Sequence, residues 1–330
     1  MADVLEALPV FGLLLALVLA VGLLLVRLWS AWLRRKRRPR NPVRGLNYLL
    51  NEDPGADPDA DDVAAEVTHA TLDGHLARAT VLRRRGDIDR AVRLHQSLLA
   101  RPALDSDARA RVELELARDY LAAGLLNRAE SLLAVLVRRD DPLRQAALEA
   151  RLELHQRERD WTAAAATARE LAASGAADIA RTLAHYLCEL AEEAWRDRDL
   201  RGARRQLTEA LEQDPGCVRA NLLRARLELE EGHYREASAA CRQVPDQDPR
   251  FLPEALPMLV EAHHELGTDH DLLQFLEAVG AAHLHGARSD VSAGTYICDA
   301  CGFCGPLLQW QCPACKTWGS IAPQVADPSD

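Results

Sequence analysis

One short pattern returns six times along the middle of the chain. The segments RGDIDRA, AGLLNRA, RDWTAAA, RDLRGAR, EGHYREA and LGTDHDL put turn positions at Gly86, Gly124, Arg159, Arg198, Gly232 and Gly267. The spacings between them are 38, 35, 39, 34 and 35 residues. A second regularity runs with the first. Ala91, Ala129, Ala203 and Ala237 open the segment after a turn, and twelve residues before each stands Ala79, Ala117, Ala191 or Ala225. Paired small residues let two antiparallel helices pack closely across a short turn. Pro215 and Pro249 follow two of the units, where a proline stops a helix. The flanking sequence is rich in Ala, Leu, Arg and Glu, which lose little side-chain freedom in a helix. A period of this length predicts stacked helix–turn–helix units, because one such pair cannot bury its apolar face alone.

The unit resembles the tetratricopeptide repeat, with weaker matches around Arg159 and Gly267. The expected fold class is therefore all-α: a tetratricopeptide-repeat superhelix whose concave groove takes a segment of another protein. No catalytic motif interrupts it. HHELG at His263–Gly267 is not the zinc-protease HExxH, and neither GxxxxGK nor GxGxxG occurs. His263, His264, His270, His283 and His285 read as solvated helix-face residues. Cys188, Cys217 and Cys241 stand apart in helical sequence and read as small buried apolar residues. The net charge of −10 argues against a nucleic-acid partner, which calls for a basic stripe.

Ahead of the repeats, Ala7 to Val26 form twenty residues without a charge, enough for a helix to span a bilayer core of about 30 Å. Asp3 and Glu6 precede this run. Arg27, Arg34, Arg35, Lys36, Arg37, Arg38, Arg40 and Arg44 follow it, with Trp29 and Trp32 at the expected interface. That charge order is the reverse of a cleaved signal peptide. It predicts a retained single-pass anchor with the N-terminus outside and the bulk of the chain in the cytoplasm. The basic cluster also suits anionic lipid headgroups.

Five of the eight cysteines fall between Tyr296 and Ser320. Cys298-x-x-Cys301 and Cys312-x-x-Cys315 are two knuckles ten residues apart. Two facing knuckles make a tetrahedral sulfur cage, the geometry of structural zinc, with a single iron as the alternative. Four thiolates leave no open coordination position, so the site is structural. Cys304 is surplus, either a bystander or a thiol that exchanges with Cys301. Trp310, Trp318, Phe303 and Ile321 are spare apolar surface expected to dock this small domain near Leu272–Val279, sealing the far end of the array.

The expected layout is an anchor at 1–33, a basic juxtamembrane segment at 34–43 and repeats at 44–285. The first repeat is degenerate and carries an acidic loop. A linker at 286–294, a metal-binding domain at 295–323 and a tail at 324–330 follow. In order along the chain stand RGLNYLLNE, RGDIDRAVRLHQSLL, ARDYLAAGLLNRAE, AHYLCELA and YICDACGF…WQCPACKTWGSI. With these, the chain resembles the lipopolysaccharide assembly protein B family of Gram-negative bacteria. The resemblance implies a rubredoxin-like metal site at Cys298, Cys301, Cys312 and Cys315. It also implies a non-enzymatic adaptor of the bacterial inner membrane. Its partners would be the membrane protease FtsH, the deacetylase LpxC and an inner-membrane regulator of lipopolysaccharide. Two other functions fit the same layout: a general envelope-biogenesis scaffold, and a tethered rubredoxin-type electron carrier.

Overall fold

The computed structural model describes residues 69–102, 104–173, 179–283 and 295–324. The expected anchor, basic segment and degenerate first repeat lie outside the described residues. Among those described, no helix is long and apolar enough to cross a membrane. The chain divides into two compact units, Met1–Arg78 and Ala79–Asp330. The described part of the first is the opening of one helix, α1 (His69–Arg84).

Helices then follow in pairs. α2 (Ile88–Leu99) completes the first pair, and α3 (Ser106–Ala122) with α4 (Leu126–Leu136) makes the second. Next come α5 (Leu143–Glu158) with α6 (Trp161–Ala173), and α7 (Ile179–Arg196) with α8 (Leu200–Gln213). α9 (Val218–Glu230) pairs with α10 (Tyr234–Arg242). A one-turn helix α11 (Val244–Gln247) and a 3₁₀ turn (Pro249–Phe251) lead to α12 (Leu252–Leu266) and α13 (Asp269–His283).

The six turns are built alike. Gly86, Gly124, Arg159, Arg198, Gly232 and Gly267 all have left-handed backbone, with φ from 56° to 86°. In each, the next amide donates to the carbonyl five residues back, from Asp87 to Leu82 through to Thr268 to His263, at 2.8–3.0 Å. This is the Schellman closure that satisfies the last carbonyls of a helix. It explains why a repeat can be read from its turn residues. The eight paired alanines are all buried, none more than 2% exposed. A larger side chain at any of them would push two helices apart.

Arginine holds two of the six turns, and left-handed backbone costs a residue with a Cβ about 1–2 kcal/mol. The greater freedom of glycine in the unfolded chain takes back roughly 0.4–1 kcal/mol. Arg198→Gly should therefore stabilise the array by about 0.5–1 kcal/mol, seen as a raised midpoint in urea unfolding. A lowered midpoint would contradict this account of the turn.

Polar groups also tie neighbouring pairs. Asp119 of α3 is fully buried and accepts from Arg83 at 2.6 Å, while its second oxygen lies 2.5 Å from His95 Nδ1. Arg83 also bonds Glu115 at 2.8 Å. One histidine departs from its sequence reading. His263 is buried and holds Ser238 at 3.0 Å and the Thr268 hydroxyl at 2.7 Å, because it faces α10 and its own turn; His264 and His270 are exposed.

Candidate metal centre and its seat on the array

After α13 the chain forms a small antiparallel sheet. β1 (Tyr296–Cys298) lies between β2 (Cys304–Gly305) and β3 (Ile321–Pro323), with Ile297 opposite Cys304 and Ala322. The two knuckles have the same backbone. The Gly302 amide donates to the Cys298 carbonyl at 2.8 Å, and the Lys316 amide to the Cys312 carbonyl at 2.9 Å. Gly302 and Lys316 both have left-handed backbone. Each knuckle buries its first cysteine and exposes its second.

The four sulfurs of Cys298, Cys301, Cys312 and Cys315 lie within 4.8 Å of one another. The Cys298–Cys315 and Cys301–Cys312 edges are both 3.7 Å. A tetrahedral zinc–sulfur bond of about 2.3 Å would set edges of roughly 3.8 Å, so the donor set fits such an ion. The Thr317 hydroxyl and amide bring the Cys315 thiol down to about 6. At Cys301 the Phe303 amide acts in the same sense, but partial desolvation and the neighbouring Cys315, Cys298 and Cys312 thiols win and push it up to about 12. Four thiols this close cannot all ionise alone, and a cation relieves that repulsion. Cys304 stands outside the cluster. It is exposed, with its sulfur 3.7 Å from the Gly302 carbonyl.

The seat of this domain differs from expectation. Phe303 and Ile321 do not dock. They pack inside the domain with Cys298 and Cys312, since a sheet this small needs every apolar side chain for its own core. Trp318 does dock, but in the middle of the array. Its ring meets Trp161 and Tyr186 edge-on at 5.9 and 5.7 Å and stacks on His185 at 5.4 Å. Its indole donates to Gln156 Oε1 at 3.3 Å, which also accepts from Gln311. Trp310 stacks on Phe251 at 5.7 Å, with the Arg219 guanidinium 5.9 Å from its ring. Tyr296 donates to Glu254, and Arg250 pairs with Asp299 at 3.0 Å. Towards the C-terminal helices, Leu308 and Ala322 join the apolar cluster that includes Leu272 and Phe275. The domain thus lies along the array from α5 to α13, seated on its middle through Trp318 and reaching the expected Leu272 surface at the far end through Leu308 and Ala322.

Backbone and burial fix the fit. Gly319 has φ of 60°, and a Cβ there would stand 2.5 Å from His185 Nε2. Burial, then the nearby Arg219 and Arg181, lower the His185 pKa to about 3, so it stacks as a neutral ring. Sequence reasoning missed Gln156, Trp161, His185, Tyr186, Arg219 and Phe251. The available signal was compositional: in a chain with 5% aromatics, a tryptophan directly after a repeat turn has few other reasons to be there.

Fold and site together define a tetratricopeptide-repeat protein that carries a Cys₄ domain of rubredoxin type on its helical array. Residues 194–262 match the tetratricopeptide repeat family, and residues 296–323 the family described as rubredoxin metal binding domain. Lipopolysaccharide assembly protein B of Escherichia coli K12 is 27% identical over 352 residues, covering 87% of this chain and 90% of that protein. Its namesake from Haemophilus influenzae is 30% identical over 250 residues, covering 73% and 62%. The chain is a relative of lipopolysaccharide assembly protein B.

Proposed function

We propose that the chain is a non-enzymatic adaptor in lipopolysaccharide assembly. In this reading the N-terminal run anchors it in the inner membrane and holds the array on the cytoplasmic side. The array presents LpxC to FtsH, and an inner-membrane regulator tunes the exchange. Cys298, Cys301, Cys312 and Cys315 hold one structural zinc that keeps the terminal domain folded. The observation that carries this reading is the similarity to lipopolysaccharide assembly protein B along 87% of the chain, beside the match of residues 296–323 to the rubredoxin metal binding domain. An adaptor works by effective concentration and needs no chemistry of its own.

Depleting the protein should lengthen the half-life of LpxC several-fold. A soluble fragment starting near Asn41, at native level, should fail to restore turnover because it lacks the tether. An unchanged half-life on depletion would reject the adaptor reading. Full rescue by the fragment would reject the tether.

A further inference from the structure

Between the array and the metal-binding domain lies a cavity of about 330 Å³, within the size range of small-molecule sites. Its lining carries polar atoms that the chain leaves unmatched. Arg219 is 3% exposed, yet only its Nη2 makes hydrogen bonds, to Glu189 and Glu192 at 2.8 Å each. Its Nε and Nη1 have no hydrogen-bond partner. His185 Nδ1 and Gln247 Oε1, from the same lining, have none either. Leaving a buried polar group unpaired is costly, so four such atoms around one cavity call for an occupant. Cys217, Val218 and Arg219 bring the start of α9 to the lining, and no side chain caps that helix. Its first-turn amides add donors and a positive partial charge. Arg181 lines the cavity too, exposed and in no ion pair among the described residues. The carboxylates of the lining are already engaged. Asp248 and Asp299 both hold Arg250, at 2.8 and 3.0 Å, and Asp214 accepts from the Gly216 amide at 3.0 Å. Burial, Arg219 and Arg181 keep His185 neutral, and with its proton on Nδ1 the ring is one more donor.

We propose that this cavity binds a small phosphate ester, its phosphoryl group held by Arg219, Arg181 and the start of α9, and a hydroxyl of its organic part held by Gln247. A phosphoryl group brings three strong acceptor oxygens to these donors, where a carboxylate brings two. Gln247 Oε1 needs a donor, which a sugar-like hydroxyl supplies. Trp310 and Phe251 provide the apolar part of the lining. The site lies between two bodies, so its ligand holds the domain to the array.

The test is calorimetric titration of the full zinc-loaded chain with glucose 6-phosphate, inorganic phosphate and glucose. Glucose 6-phosphate should bind. Inorganic phosphate should bind about tenfold more weakly, for want of the Gln247 hydrogen bond, and glucose not at all. Arg181→Gln, at an exposed position that leaves the fold intact, should weaken glucose 6-phosphate about tenfold through the loss of one charge-assisted hydrogen bond. Arg226→Gln, on α9 but off this lining, should leave binding unchanged. Absence of binding by both phosphates at millimolar concentration would overturn the proposal, as would equal weakening by the two variants. Inorganic phosphate binding as tightly as the ester would overturn the ester and the role of Gln247.

Discussion

Trp318→Ala should release the metal-binding domain from the array. The indole is 6% exposed and touches three aromatic rings on α6 and α7. Truncating a buried tryptophan costs about 3–5 kcal/mol. The other contacts cannot replace it. Arg250–Asp299 is a half-exposed ion pair, worth at most about 1 kcal/mol, and Trp310 rests chiefly on Phe251, reaching the Trp318 patch only at the His185 ring, 6.1 Å away. The variant should melt in two transitions where the wild type melts in one. Its tryptophan emission should shift to the red as Trp161 and Trp310 meet water. A single transition within a degree of the wild-type midpoint would show that the seat depends on something else.

Metal removal should act on the same interface from the other side. The domain has three strands of two or three residues and a core of Cys298, Cys312 and Ile321, backed by Tyr296, Phe303 and Leu308. So little apolar burial cannot offset the conformational entropy of ordering the segment. A structural zinc contributes about 10–16 kcal/mol of apparent binding energy at neutral pH. Chelation, or Cys312→Ser, should therefore unfold residues 296–323 and undock them together. Cys304→Ser should leave zinc content and docking unchanged, since that sulfur lies outside the cluster. Zinc analysis and limited proteolysis would check both. Loss of metal in Cys304→Ser with full retention in Cys312→Ser would refute the assignment.

The helical pairs were legible because their turns need a left-handed residue at a fixed interval and a small residue on each side. Even Arg159 and Arg198 could be placed, since their neighbours kept the register. The cysteine cluster was legible for a similar reason, as both knuckles are local in sequence. The seat was not. It joins Gln156 to Gln311 and Trp318, and Tyr186 to Trp318, and no local pattern encodes which helix face meets a domain more than a hundred residues away.

Linear arrays of repeats unfold like a row of tiles, each held by its neighbours, and such rows fray from the ends inward. The link from Gln156 to Trp318 changes that arithmetic for this chain. It spans 162 residues and bolts a segment far along the chain onto the middle of the row. The pairs from α5 to α12 then lie within one closed circuit, so opening any of them strips contacts from the others. The pairs before α5 stay outside it and keep the independence of ordinary tiles. The circuit also carries a kinetic debt, because long-range closures are slow to form. On the ribosome the array can stack as it emerges, but it gains its full cooperativity only after the final knuckle has left the tunnel.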